Sequence, residues 1–125
     1  MKIALASVYV NDVVKAHAYY TETLGFNSRM FMPEAHLAIV IPAEAPEGTA
    51  LLLEPNENPI AKNYQKSLYD ASIPVITMGS SEIHAEHKKL SAKGVTFRKE
   101  PTQTDFGIEA IFEDTCGNLI QMYQV

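Results

Sequence analysis

The stretch VYVNDVVKAHAYYTETLGF, residues 8–26, changes its period part-way along. Up to Val10 the chain alternates: Ile3, Leu5, Ser7 and Tyr9 project to one face, and Ala4, Ala6, Val8 and Val10 to the other. Both faces are largely apolar, which predicts a strand covered on both sides. Beyond Asn11-Asp12, a good N-cap pair, the apolar positions fall at Val13, Ala16, His17, Tyr20 and Leu24, one stripe of a helix, and Gly25 supplies the stop. The chain therefore opens strand, helix, glycine.

Three apolar runs follow at residues 26–32, 36–41 and 49–54, each bounded by turn residues and too short for a helix. PIAKNYQKSLYDASIP, residues 59–74, carries Ile60, Tyr64, Leu68 and Ala71 at helical spacing and predicts a connecting helix over about 59–72. A second cycle begins with strand PVITM, a Ser80-Ser81 cap, and a helix with Ile83, His87 and Leu90 inward, closed by Gly94. Three more strands are expected at 95–98, 107–113 and 119–124. The order strand, helix, three strands thus occurs twice. This is an internal repeat, with modules at about 1–56 and 73–125. It predicts an α+β fold, two tandem βαβββ modules in one domain spanning residues 1–125.

Composition narrows the function classes. With 46% hydrophobic residues the chain has enough apolar material for a core. Its 10 Lys and Arg against 15 Asp and Glu give a net charge of −5, without the basic run of a nucleic-acid binder. No run approaches the roughly 20 apolar residues of a membrane helix. The lone Cys116 and the strand-like N-terminus point to a reducing, cytoplasmic setting and a soluble protein.

The two segments VYVNDVVKAHAYYTETLGF (8–26) and AIFEDTCGNLIQMYQ (110–124), together with LLLEPNENP (51–59) and the repeat order, resemble the vicinal oxygen chelate superfamily. That superfamily is also known as the glyoxalase, bleomycin resistance and extradiol dioxygenase superfamily. The resemblance covers essentially the whole chain. It implies that each module forms a curved mixed sheet, that paired modules enclose a cavity, and that the protein is a homodimer. In metal-using members an ion in that cavity is held by side chains from the first and last strand of each module.

Residue by residue, the implied ligand positions here carry poor donors. The first-strand position falls on Leu5 and its counterpart near Val75, neither of which can coordinate. The last-strand positions fall within Leu52, Leu53 and Glu54, not fixed to one of them, and on Gln121. At most Glu54 and Gln121 remain, against three protein ligands for a catalytic site, and a neutral amide is a weak donor. The expectation is therefore no metal and no other cofactor, with a weakly bound divalent ion as the alternative.

By alternation, Leu5, Ser7, Tyr9, Val75, Thr77, Gln121 and Tyr123 line the cavity. Such a mixture of apolar walls and a few polar groups suits a small-molecule pocket, while the plainer alternative is that these side chains fill it. Glu54 is the candidate catalytic base, or else an exposed strand-end charge. His84 and His87 lack the spacing of a zinc-protease pair and read as ordinary helix histidines. His17 reads as a satisfied core histidine, His36 as the residue before a strand at the cavity mouth, more often clear of a ligand than touching it, and Cys116 as a turn residue.

Two functions are carried forward. One is a metal-independent module that binds a small molecule, as the bleomycin-resistance branch does. The other is a glyoxalase-like lyase or isomerase, or a dioxygenase-like enzyme, using Glu54 and a weak metal site.

Overall fold

The computed structural model describes all residues, Met1–Val125. Strand β1 (Leu5–Val10) runs into helix α1 (Val13–Ala18), capped by the Asp12 carboxylate, which accepts a bond from the Lys15 backbone N–H at 3.0 Å. The helix continues as a π-helical turn, Tyr19–Thr23, before Gly25 takes a left-handed φ of +82°. Strands β2 (Asn27–Met32), β3 (Leu37–Ile41) and β4 (Ala50–Pro55) complete the first module. Helix α2 (Pro59–Asp70) leads to the second: β5 (Ile76–Ser80), α3 (Ile83–Ala92), β6 (Phe97–Thr104), β7 (Gly107–Glu113) and β8 (Leu119–Gln124).

Each module makes its own four-stranded mixed sheet, ordered β1-β4-β3-β2 and β5-β8-β7-β6. In both, the first strand pairs in parallel with the last and the remaining pairs are antiparallel. The expected repeat of strand, helix and three strands is the observed fold. In the inner strands one half of the alternating residues is buried under a helix, while β2 is exposed along its whole length. In the first module Val8, Val10, Ala38, Val40, Leu51 and Leu53 pack against Val13, Ala16 and Tyr20. In the second, Ala110, Phe112, Ile120 and Met122 pack with Ile83, Leu90 and Val95. Tyr19, Leu24, Val75, Ile76 and Met78 pack against both cores and form the seam between the modules.

Several local expectations are corrected. Helix α2 turns Ala61 and Gln65 inward, leaving Ile60 81% and Tyr64 49% exposed, so its buried face is not the Ile60–Tyr64 stripe. Strand β6 starts at Phe97 and runs on through Pro101 to Thr104, past the expected end at 98, because register shifts at Phe97/Lys99 and Lys99/Thr102 absorb the irregularity. The Ser80-Ser81 pair does not cap α3 at its first N–H: the Gln124 side chain accepts from the Ile83 N–H at 2.9 Å, and Ser80 Oγ accepts from that of Glu82. His17 is half-buried at the module edge, where its ring stacks on Phe31 (centroids 3.9 Å apart) and hydrogen-bonds the Ser28 hydroxyl at 2.8 Å. No helix is long and apolar enough to cross a membrane.

Candidate functional site

Helices α1 and α3 lie on one side of the sheets, so the other half of the strands forms a helix-free face that α2 only borders, with Tyr64 edge-on to Tyr9 and Tyr69 bonded to Glu113. In the first module that face carries Leu5, Ser7 and Tyr9 from β1, with Leu52 and Glu54 beside them in register on β4 and Ile39 beyond on β3. Met30 and Met32, opposite Ile39 and Leu37, extend it to the sheet edge. This surface is mainly apolar and open: Leu5, Met30 and Met32 are each more than 40% exposed. Glu54 is half-buried there, opposite Tyr9 in the pairing, with no ion pair and no side-chain hydrogen bond.

The second module's helix-free face is different in kind. Thr77 Oγ1 donates to Gln121 Oε1 at 3.0 Å, and Gln121 Nε2 donates to Glu109 Oε2 at 2.8 Å. Lys99 Nζ closes the row on Glu109 Oε1 at 2.7 Å. Four side chains from β5, β8, β7 and β6 thus form one polar ladder across the full width of the sheet. Spare capacity remains at the second N–H of Gln121, at the Lys99 ammonium and at the Thr77 oxygen. Tyr123 lies on the same face, but its hydroxyl donates to the Phe106 carbonyl at the β6–β7 turn.

Of the expected cavity residues, the structure joins Thr77 to Gln121 directly and sets Leu5, Ser7 and Tyr9 together on the other sheet. Val75 is drawn into the seam between the cores. His84 is exposed, His87 is half-buried with its ring edge-on to Phe97, and His36 is an exposed left-handed cap at φ +51°. Sequence reasoning missed Glu109 and Lys99. The alternation of GIEAIFE (107–113) already places Glu109 and Ile111 on one face, and pairing β7 with β8 would have brought Glu109 diagonally to Gln121.

The closing turn does structural work. Asp114 is fully buried: Oδ1 accepts from the Cys116 and Asn118 N–H groups, and Oδ2 from the Asn118 amide and from Tyr20 Oη at 2.8 Å. Burial raises the Asp114 carboxyl pKa even though these donors pull it back down. Burial likewise holds the Tyr20 phenol well above its ordinary pKa, assisted by the Asp114 charge. Gln65 Nε2 reaches the Tyr9 carbonyl at 2.8 Å, the Cys116 carbonyl at 3.1 Å and Asn118 Oδ1 at 3.2 Å, which explains why α2 turns a glutamine inward. Cys116 is 1% exposed and packs in the first module's core, and burial pushes its thiol up to about 12. It is more than a turn residue.

No three His, Cys, Asp or Glu side chains converge in a group that could hold a metal ion. Leu5 offers no donor atom, and both ends of the Gln121 amide are engaged by protein partners. These residues do not fit the ligand set of the metal-using members.

The sequence model of the glyoxalase/bleomycin resistance protein/dioxygenase superfamily matches residues 2–122. The chain belongs to this superfamily. Among its relatives, the uncharacterized protein YurT of Bacillus subtilis (strain 168) is 43% identical over 127 residues, covering 99% of each chain. The crystal structure of UcmS2 superposes with a TM-score of 0.83 at 28% identity, covering 100% of this chain and 98% of that one. TnmS3, an antibiotic binding protein from Streptomyces sp. CB03234, superposes with a TM-score of 0.75 at 27% identity, covering 99% of this chain and 95% of that one. The tandem βαβββ architecture is that of the superfamily.

Proposed function

We propose that this superfamily member binds a small organic molecule on its helix-free faces without the metal ion used by catalytic relatives. The observation that carries this reading is the ladder Thr77–Gln121–Glu109–Lys99, an oriented row of polar groups beside mainly apolar surface. Such a pairing of apolar walls with a few fixed polar groups is what small-molecule sites use for affinity and orientation. The spare donors of Gln121 and Lys99 favour a ligand with a carbonyl, phenolic or carboxylate edge. The likeness to TnmS3, an antibiotic binding protein, supports the same class of ligand.

Dimerisation belongs to this reading. Leu5, Met30, Met32, Ile60 and Tyr64 leave a broad apolar surface in water, and a second copy covering it would enclose the site. Light scattering of the purified protein reads the subunit number.

A second reading follows from Glu54. A half-buried carboxylate without a cation, on the same face as Tyr9, is placed to move a proton in a lyase or isomerase reaction. In that case Glu54→Gln removes turnover while leaving binding in place.

The deciding experiment combines metal analysis of the purified protein with thermal-shift titration against bleomycin-type glycopeptides and polycyclic aromatic antibiotics. Stabilisation of metal-free protein that is lost in Gln121→Ala agrees with the proposal, since a ligand specific for the native state raises its apparent stability. Stoichiometric metal in the purified protein would overturn it.

A further inference from the structure

A different cavity opens on the helix side. Between the modules lies a cleft of about 530 Å³, well inside the range of small-molecule sites. Leu24 and Phe26 at the end of the first helix form one wall, and Leu90 of α3 the other. Ile76, Met78, Phe112 and Met122 supply the rest of the second module's apolar lining. Of the seven cavity residues expected from sequence, only Thr77 lines it. Beside it, Lys93 Nζ donates to the Glu22 and Thr23 carbonyls at 3.4 and 3.2 Å, tying the end of α3 to the first module.

The charged groups lining the cleft are Glu44, Glu86 and Lys89. Glu86 is the half-buried one, Glu44 and Lys89 being exposed. Its one side-chain hydrogen bond is a long one, 3.4 Å from Ser80 Oγ. The chain's ion pairs are Lys66–Asp70, Arg98–Glu113 and Lys99–Glu109, so Glu86 has no cation although Lys89 lies one turn away. A partly desolvated carboxylate with one weak donor, at the edge of an apolar cleft, is complementary to an ammonium group on an apolar body. The carboxylate excess at the cleft and the net charge of −5 act in the same direction.

We propose that this cleft is a second small-molecule site, sharing only Thr77 with the polar ladder, and that it takes a lipophilic amine with its ammonium group on Glu86. A flat aromatic or alicyclic body fills the space between Leu24, Met78 and Leu90. An occupant would touch both modules at once.

The methionines make the test site-specific. Met78 and Met122 line the cleft, whereas Met30 and Met32 lie on the first sheet's helix-free face. In protein carrying ¹³C-methyl methionine, 2-naphthylmethylamine is titrated beside the neutral 2-naphthylmethanol and the anionic 2-naphthoic acid. The expected result is a saturable shift of the Met78 and Met122 methyls, with the amine bound about tenfold or more tighter than either analogue. Glu86→Gln erases that preference, and Glu57→Gln, at an exposed carboxylate outside the cleft, leaves it intact. The proposal is overturned by equal or tighter binding of the acid, by shifts confined to Met30 and Met32, or by no shift of Met78 and Met122 up to the amine's solubility limit.

Discussion

Gln121 and Glu109 are joined by a 2.8 Å bond from Gln121 Nε2 to Glu109 Oε2, and this bond decides which way the amide faces. An ionised carboxylate only accepts, so Nε2 must turn toward Glu109 and Oε1 toward the Thr77 hydroxyl. Gln121→Glu replaces that bond with two facing carboxylates. We expect a loss of about 0.5–1 kcal/mol at pH 7, the cost of like charges on neighbouring strands. Urea titrations of the variant and the parent at pH 7 measure it. An unchanged midpoint at pH 7 would mean that the ladder does not persist in solution.

Tyr20→Phe tests the buried link between the modules. It removes one of the donors to the fully buried Asp114 and leaves the others in place. Loss of a donor to a buried acceptor costs about 1–3 kcal/mol. Chemical denaturation should show that drop as one cooperative transition, since Tyr20 belongs to the first module and Asp114 to the second.

Two glycines separate backbone conformation from crowding. Gly25 has φ +82° and nothing within 4 Å of an added Cβ, so Gly25→Ala should cost only the left-handed penalty, about 1–2 kcal/mol. Gly117 has φ +100° and an added Cβ would lie 2.8 Å from Gln65 Nε2. Gly117→Ala should therefore be the more damaging, because it also displaces the hydrogen bonds of Gln65. Equal melting temperatures for the two variants would contradict this ordering.

The Tyr69–Glu113–Arg98 cluster predicts an acid-side stability change. The Tyr69 hydroxyl bond, then the Arg98 guanidinium, lower the Glu113 pKa. A depressed carboxylate pKa contributes stability that is fully present above the unfolded value, about 4.3, and is lost as pH falls through the folded one. Thermal melts of Glu113→Gln should accordingly differ from the parent above that pH and converge with it in stronger acid.

Cys116 should be silent toward alkylating reagents in the native protein. With its thiol raised to about 12, the thiolate fraction at pH 8 is on the order of 10³-fold below that of a free cysteine, before exclusion by burial is counted. Iodoacetamide labelling followed by mass spectrometry, with and without urea, checks this. Rapid native labelling would place the closing turn outside the core.

Much of the architecture could be read from periodicity. The switch at Asn11-Asp12 from alternation to helical spacing marks β1 and α1, and the same switch near Ser80 marks β5 and α3. What periodicity could not supply was tertiary. Ile60 and Tyr64 look like the buried stripe of α2, but the inward side is set by Gln65, which must reach carbonyls on β1 and the closing turn. Gln124 as the cap of α3 and Lys99 as the end of the ladder have the same cause. Each acts on a partner brought close only by strand pairing or by the return of the chain, which a local pattern does not encode. Gln121 was recognisable as an odd amide in an apolar strand, whereas its partners depended on the β7–β8 register.

The placement of Cys116 bears on the order of events at the ribosome. The first module's core includes this residue from the final hairpin, so the opening half emerges from the exit tunnel before the plug that completes it has been synthesised. Domains commonly fold as they appear, N-terminal first. Here the first module's core is complete only once the β7–β8 turn that carries Cys116 has been synthesised.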